Sequence, residues 1–241
     1  MVDQLFVEPR LARLYDAFCA GRDDFEFYLP YVMAADSVLD VGCGTGALLH
    51  LARAAGHRGR LCGLDPADAM LDCARVRSDI EWVHGDLSTF ATTDRFDLIV
   101  MTGHAFQVLV TDAELRGALQ NVRALFTDGG MFAFETRNPA ARAWDHWVPE
   151  NADEVVVAGQ VVRMAHAVEA CDGDTVTFSS TFTGDGWERP EVSRSTLRFL
   201  DAPALTLFLD DAGLEIAAQF GDWDGRPLAP DSPEIITFAL S

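Results

Sequence analysis

A run of apolar residues that ends in closely spaced glycines is the feature that most constrains the fold of this chain. Residues 38–41 (Val-Leu-Asp-Val) have the character of a buried strand, and Gly42, Gly44 and Gly46 follow them. Glycines at this spacing let the main chain turn sharply and approach a ligand, and the following helix offers unpaired amide donors. The pattern predicts a strand, a turn and a helix around a nucleoside-carrying cofactor, although a turn without a ligand gives the same pattern.

The composition of the chain disfavours several kinds of partner. Its 241 residues, 49% of them hydrophobic, suit one α/β domain with an insertion better than two independent domains. A formal net charge of −20 repels a phosphate backbone, so we expect no nucleic acid partner. Neither a signal-peptide pattern nor an apolar run of about 20 residues is present, so we expect a cytoplasmic protein without membrane contact. The five cysteines and six histidines lack metal-ligand spacing, so we expect no metal site. The oligomeric state stays open.

Strand-like and helix-like segments alternate from residue 37 onward, which is typical of a parallel sheet covered by helices. The predicted strands are 37–41, 60–64, 81–84, 96–101 and 131–135, and the predicted helices are 47–55, 67–75, 112–126 and 203–212. A Thr111 and Glu114 capping-box spacing marks the start of the helix at 112. Segments 214–220 and 234–240 predict a terminal hairpin. The expected fold class is a doubly wound α/β fold with a seven-stranded, mostly parallel sheet.

Residues 140–200 interrupt this alternation. Their β-branched, alternating segments at 154–170 and 175–183 are joined by a turn around Gly173, which predicts an antiparallel β insertion. The cofactor-binding domain is therefore expected at 1–139 and 201–241. Because inserted elements near strand ends often carry specificity, we expect the insertion at 140–200 to cover the substrate pocket.

Polar residues follow several predicted strands, and in doubly wound folds ligands bind beyond the carboxyl ends of the strands. Asp65, nineteen residues after Gly46, suits the hydroxyls of a ribose, and it also suits capping of the helix that follows. Asp86 suits an adenine amino group while the amide of Leu87 faces the ring, or it is an ordinary turn residue. Met70 lies either on an adenine face or in the core.

These segments resemble, in order and over nearly the full chain, the motifs of class I S-adenosylmethionine-dependent methyltransferases. The segments that carry the resemblance are residues 40–46, 63–66 with Met70, 85–87, 96–100 and 125–130. The resemblance implies S-adenosylmethionine as the cofactor and S-adenosylhomocysteine as the product. It implies that the cofactor lies against Tyr15, Gly42, Cys43, Gly44, Asp65, Pro66, Met70, Asp86, Leu87 and Thr102. Tyr15 belongs to a segment similar to one that closes over the cofactor, and Thr102 would contact the cofactor's amino group.

Methyl transfer requires an acceptor atom aligned with the methyl group while water is excluded. His104 suits a general base, or it is structural. Arg137 suits an acidic group of the substrate, or it pairs with a nearby acid. Further candidates at the acceptor are Phe106, Glu135, Trp144 and Trp147. The predicted activity is methyl transfer to an O or N atom of a small molecule. A cofactor-binding regulatory module and a nicotinamide-dependent oxidoreductase are the alternatives, the latter without its usual GxGxxG spacing.

Overall fold

Two separate β-sheets organise the molecule in the computed structural model, which describes residues 2–241. The strands in chain order are β1 (Ser37–Val41), β2 (Arg60–Asp65), β3 (Glu81–His84), β4 (Phe96–Met101), β5 (Phe126–Arg137), β6 (Asp153–Val157), β7 (Gln160–Asp172), β8 (Thr175–Gly184), β9 (Glu191–Arg198), β10 (Glu215–Phe220) and β11 (Glu234–Leu240). The α-helices are α1 (Gln4–Val7), α2 (Pro9–Phe18), α3 (Asp23–Ala34), α4 (Ala47–Ala54), α5 (Asp68–Ala74), α6 (Asp112–Ala124) and α7 (Ala202–Ala212).

The larger sheet has the strand order β3-β2-β1-β4-β5-β11-β10. Strands β1 to β5 run parallel, whereas β11 runs antiparallel to both β5 and β10. This arrangement confirms the predicted seven-stranded, mostly parallel sheet with a terminal hairpin. The chain leaves β1 towards β2 on one side and returns to β4 on the other, so the switch point where such folds bind ligands lies between β1 and β4.

Successive side chains of a strand point to opposite faces of the sheet, and in the larger sheet apolar side chains occupy both faces. Helices therefore cover both faces. Val38 faces a cluster with Tyr28 of α3 and Leu48 of α4. Its neighbour Leu39 faces the opposite cluster, which contains residues of α6 and α7 such as Leu205. The sheet is thus buried on both sides, and its polar residues gather at the strand ends.

Strand β5 is longer than predicted. We expected Gly129 and Gly130 to form a turn before a strand at 131–135, but the strand begins at Phe126 and includes both glycines. A Cβ on Gly130 would lie 2.9 Å from the carbonyl oxygen of Phe96. The glycine therefore serves the close approach of β5 to β4 rather than a turn.

The smaller sheet is an antiparallel meander in the order β6-β7-β8-β9. The single strand expected at 154–170 is two strands, because the chain reverses at Ala158 and Gly159 with φ angles of 51° and 79°. Strand β9 was not predicted. Around Phe182 of this sheet, apolar side chains pack against Leu11 and Leu14 of α2, so the insertion is joined to the N-terminal helices.

None of the helices within residues 2–241 is both long enough and apolar enough to cross a bilayer.

Candidate active site

The glycine loop after β1 adopts the backbone conformation for which glycine is suited. Gly42, Gly44 and Gly46 have φ angles of 72°, 55° and 76°. A Cβ on Gly46 would collide with the ring of Trp82, whereas a Cβ on Gly44 would meet no atom within 4 Å. Gly46 is therefore required by packing, while Gly44 faces open space.

A cleft of about 760 Å³ opens beside this loop. Five of the ten residues predicted to hold the cofactor line it, namely Tyr15, Gly42, Cys43, Gly44 and Thr102. The other walls come from α2, α3, α4 and the loop between α2 and α3. The cleft therefore lies at the switch point of the sheet, where the fold predicts a ligand.

Asp65 links the end of β2 to the glycine loop. One carboxylate oxygen accepts a 2.8 Å hydrogen bond from the backbone N–H of Gly44, and the other accepts one of 2.8 Å from Ala67. Burial of the carboxyl group raises its pKa, and the two backbone hydrogen bonds oppose this shift. The hydrogen bond from Ala67 forms an Asx turn before α5, whose N-cap residue is Ala67, so Asp65 does not cap this helix. The same side chain fixes Gly44 at the cleft.

Asp40, the penultimate residue of β1, borders the cleft and was missing from the predicted site. Its side chain is 1% exposed, and its Oδ1 has no hydrogen-bond partner among the described residues. Burial raises the pKa of this carboxyl to about 7. A buried, unpartnered carboxylate oxygen in the wall of a cleft favours a ligand that brings a positive donor.

Arg22 is a second residue that sequence reasoning missed. It lies in the loop between α2 and α3, lines the cleft, and forms an ion pair with Asp24. A Cβ on Gly103 would lie 2.9 Å from its Nη2, so the absence of a side chain there makes room for the guanidinium. Because Arg22 lies in a loop, no local sequence pattern marks it as a site residue.

The residues expected at an adenine ring follow β2 and β3 and do not line the cleft. Asp86 is exposed, and its Oδ1 accepts hydrogen bonds from the backbone and hydroxyl of Ser88, which lowers its pKa. Met70 is 1% exposed and packs with Ala12, as the core alternative predicted. The carbonyl oxygen of Pro66 lies 3.0 Å from Nε2 of His84, and Leu87 is buried.

His104 follows β4 in a left-handed conformation, with φ of 62°. Its backbone N–H donates a 2.7 Å hydrogen bond to Oε1 of Glu135. The hydroxyl of Tyr28 donates a 2.7 Å hydrogen bond to the other oxygen of Glu135. Glu135 is fully buried, and burial raises its pKa to about 8. Glu135 therefore positions the His104 turn, while its contact with an acceptor stays a prediction.

The ring of His104 faces Glu234, the first residue of β11. Its Nε2 lies 3.0 Å and 3.1 Å from the two carboxylate oxygens. Burial lowers the pKa of His104 well below 6.5 and raises that of Glu234 to about 8. Both shifts favour a neutral imidazole beside a protonated carboxyl group. Glu234 was not predicted, because it lies 130 residues away in sequence.

The acceptor candidates on β5 and in the following segment occupy different surroundings. Arg137 donates a 2.9 Å hydrogen bond to Oε1 of Gln107 and lies 5.5 Å from the centre of the Trp147 ring. Phe106 is 3% exposed and stacks on Phe134 at 4.0 Å, so it belongs to the core rather than to a pocket wall. Trp144 packs edge-on against Phe199. Of the three aromatic candidates, Trp147 is the one placed beside Arg137.

The insertion is attached at this end of the sheet. The side-chain amide of Gln107, in the turn after β4, donates a 2.9 Å hydrogen bond to the carbonyl oxygen of Arg198 at the end of β9. Arg198 in turn forms an ion pair with Asp112 at the start of α6. Within residues 2–241 no three His, Cys, Asp or Glu side chains are grouped as metal ligands.

Comparison with known proteins agrees with this geometry. A family model described as "Methyltransferase domain" matches residues 38–130. The chain is 28% identical over 203 residues to dTDP-4-amino-2,3,4,6-tetradeoxy-D-glucose N,N-dimethyltransferase of Saccharopolyspora spinosa, covering 80% of this chain and 77% of that protein. It is 34% identical over 169 residues to dTDP-3-amino-3,6-dideoxy-alpha-D-glucopyranose N,N-dimethyltransferase of Streptomyces fradiae, covering 70% of this chain and 58% of that protein.

Among solved structures, the chain is similar to SAM-bound CalS10, an amino pentose methyltransferase from Micromonospora echinaspora. The two share 25% identity with a TM-score of 0.71, over 94% of this chain and 96% of that one. The sheet order, the glycine loop and these matches define a class of enzyme. The chain belongs to the class I S-adenosylmethionine-dependent methyltransferases, and its cofactor is S-adenosylmethionine.

Proposed function

We propose that this enzyme methylates an amino nitrogen of a small-molecule acceptor of the amino-sugar class. The observation that carries the proposal is the contact of 3.0 Å between Nε2 of His104 and the carboxyl group of Glu234, just beyond Thr102 of the cleft. The names of the relatives support it, since two are N,N-dimethyltransferases of dTDP-linked amino sugars and one is an amino pentose methyltransferase.

The residues of the cleft fit the groups of the cofactor. Gly44 leaves room for its methionine part, because no atom lies within 4 Å of the position of a Cβ there. The unpartnered Oδ1 of Asp40 suits its ammonium group, and the guanidinium of Arg22 suits its carboxylate. Asp65 keeps lone pairs for ribose hydroxyls, since each of its oxygens accepts one backbone hydrogen bond.

The remaining cofactor contacts follow the sequence prediction. Oδ2 of Asp86 has no hydrogen-bond partner among the described residues, so it can accept from an adenine amino group. Leu87 supplies the apolar surroundings of the ring, with Pro66 and Cys43 beside the ribose and the loop, while Met70 packs with Ala12 behind them. Tyr15 closes the cleft from α2, and Thr102 borders the end at which the methyl group is transferred.

The bound cofactor supplies an electrophilic methyl group. A neutral amine is the nucleophile. With Glu234 ionised, Nε2–H of His104 donates to its carboxylate, and Nδ1 accepts the proton that the methylated amine loses. The ionised carboxylate of Glu234 orients the ring of His104 through Nε2 and stabilises the imidazolium that forms. Glu135 and Tyr28 hold the His104 turn in place, so that the base does not have to reorganise during the reaction.

The N-terminal helices exclude water from the cleft. The hydroxyl of Thr45 donates a 2.6 Å hydrogen bond to Asp16 of α2, which ties this helix to the glycine loop. On its other side, α2 packs against the insertion through Leu14 and Phe182. The insertion at 140–200 thereby acts as a cover of the substrate pocket, distinct from the cofactor-binding unit formed by 1–139 and 201–241.

The proposed reaction is tested with methyl-labelled S-adenosylmethionine and matched acceptors. The panel contains dTDP-linked 3-amino and 4-amino sugars and the same sugars with a hydroxyl in place of the amine. We expect label on the amine and none on the hydroxyl counterparts. Label on the hydroxyl compounds alone assigns O-methylation and contradicts the proposal. Binding of the cofactor without label transfer to any amine favours a regulatory module instead.

A further inference from the structure

Arg137 is a shielded cation without a carboxylate partner. The chain carries 38 acidic residues against 18 arginines, so partners are abundant. The three other arginines whose side chains are at most 20% exposed in their ion pairs use them, since Arg22 pairs with Asp24, Arg53 with Asp79, and Arg198 with Asp112 and Asp174. Within residues 2–241, no carboxylate oxygen lies within 4.0 Å of the Arg137 guanidinium.

Most hydrogen-bond donors of Arg137 are unused. Its Nη1 donates to Gln107, while Nε and Nη2 have no partner among the described residues and are not sealed from open space. A guanidinium presents such donors as a planar fork that matches two oxygens of a carboxylate or a phosphate. Burial disfavours the charge and lowers the pKa of Arg137, and the nearby carboxyl groups of Glu234 and Glu135 oppose this shift only in part, so an anionic ligand would relieve a real cost.

The neighbours of Arg137 fix its orientation. Gln107 is 1% exposed and is itself held by the carbonyl oxygen of Arg198. The ring of Trp147 lies 5.5 Å from the guanidinium, and that ring packs on Phe178 of the insertion at 4.5 Å. A cation held on two sides with its remaining donors free is preorganised for a ligand.

The position of Arg137 separates it from the cofactor cleft and places it at the acceptor. It does not line that cleft, in which Arg22 is available for the cofactor's carboxylate. Arg137 pairs in register with Glu234 across β5 and β11, so the two side chains leave the same face of the sheet. Both oxygens of Glu234 face the ring of His104. Arg137 is therefore next to the proposed base, on the side away from β1.

We propose that the acceptor carries a carboxylate or phosphate group close to its nucleophile, and that Arg137 binds this group and so determines substrate specificity. This inference rests on the proposed function, because it uses the same acceptor site. It narrows the substrate class to anionic derivatives of the amine.

A binding experiment tests this without knowledge of the natural acceptor. Protein saturated with S-adenosylhomocysteine is titrated with pyrophosphate and, separately, with succinate, and the tryptophan fluorescence is followed because Trp147 lies on Arg137. The two anions distinguish a phosphate from a carboxylate ligand. We expect saturable binding of at least one anion, and loss of about tenfold or more in affinity in Arg137→Gln.

Two further variants make the result specific. Arg142→Gln removes an exposed arginine that pairs with Asp145, and it should bind the anion like the wild type. Trp147→Phe should remove most of the fluorescence change. Absence of saturable anion binding by the wild type, or equal binding by Arg137→Gln, overturns the inference.

The proposed function is assessed separately in the same samples. Titration with S-adenosylhomocysteine should give affinities for wild type and Arg137→Gln that agree within about twofold, because Arg137 does not line the cofactor cleft. Failure of that ligand to bind counts against the cofactor site, whereas failure of the anions alone counts against the role of Arg137.

Discussion

The carboxylate of Glu135, at the end of β5, accepts a 2.7 Å hydrogen bond from the backbone N–H of His104, which follows β4. This bond holds a non-glycine residue in the left-handed region, at φ 62°. The imidazole is thereby directed to Glu234, 3.0 Å away. A fully buried carboxyl group thus fixes the backbone that carries the proposed base.

Replacement of His104 tests that base. In His104→Asn we expect kcat for an amine acceptor to fall by about 100-fold, since a positioned general base contributes at least that much. Because the side chain does not line the cofactor cleft, the Kd for S-adenosylhomocysteine should change by no more than about twofold. His146→Asn, at an exposed histidine, is the matched control. An unchanged kcat in His104→Asn would assign His104 a structural role.

The buried carboxyl of Glu135 predicts a pH dependence of stability. Its pKa is raised by burial from 4.5 to about 8, so the folded state binds the proton more tightly than the unfolded chain does. The resulting stabilisation is complete below pH 4.5 and is lost as the pH rises to about 8.

Glu135→Gln removes this titration while retaining a hydrogen-bond acceptor for His104. Between pH 5 and pH 8, the wild type should lose about 3–4 kcal/mol more of its free energy of unfolding than the variant does. Urea unfolding at four pH values within this range measures the difference. Parallel curves for the two proteins would show that Glu135 titrates normally in the folded state.

Substitution of two glycines with positive φ distinguishes the effect of ligand contact from the effect of backbone strain. Gly44→Ala and Gly56→Ala both place an alanine at positive φ, where no atom lies within 4 Å of the new Cβ. Each should cost about 1 kcal/mol of stability. Only Gly44 lines the cleft, so only Gly44→Ala should weaken binding of S-adenosylhomocysteine, by about tenfold. Equal affinities in the two variants would remove the glycine loop from the binding site.

The contact between the insertion and α2 predicts a local effect on dynamics. Phe182 is fully buried and packs against Phe18 at 5.9 Å, whereas Phe178 on the same strand packs on Trp147. Phe182→Leu should therefore increase hydrogen exchange of the amides in α2, while Phe178→Leu should leave them protected. If both variants leave α2 unchanged, the insertion does not hold this helix over the cleft.

Local patterns predicted much of the fold. The limits of β3, β4 and β11 agree with the sequence prediction, because each is a short apolar run between turn signals. The reversal at Ala158 and Gly159 was not predicted, because an alanine rarely occupies the left-handed region. Gly129 and Gly130 have the composition of a turn, whereas the structure shows an interruption of the register between β4 and β5 there, with Gly130 close to the carbonyl oxygen of Phe96.

Only the site residues that directly follow a predicted strand could be predicted from the sequence. The loop at Gly42 and Gly44 and the position of Thr102 come from strand ends that the sequence reveals. Glu234 and Arg22 come from segments that are distant in sequence. Their contacts depend on the position of β11 between β5 and β10 and on the packing of α2 against the glycine loop. The stacking of Phe106 on Phe134 likewise depends on tertiary packing, which the spacing of residues along the sequence does not indicate.

Calorimetric titration with S-adenosylhomocysteine tests the central claim most directly, namely that the cleft beside the glycine loop holds the cofactor. The wild type should bind one molecule per chain. Asp65→Asn should lose about tenfold or more in affinity, because this carboxylate fixes Gly44 and, in the proposed binding mode, accepts from the ribose. The control Asp68→Asn, at an exposed residue on α5, should bind normally. No binding by the wild type, or equal binding by Asp65→Asn, would contradict the account.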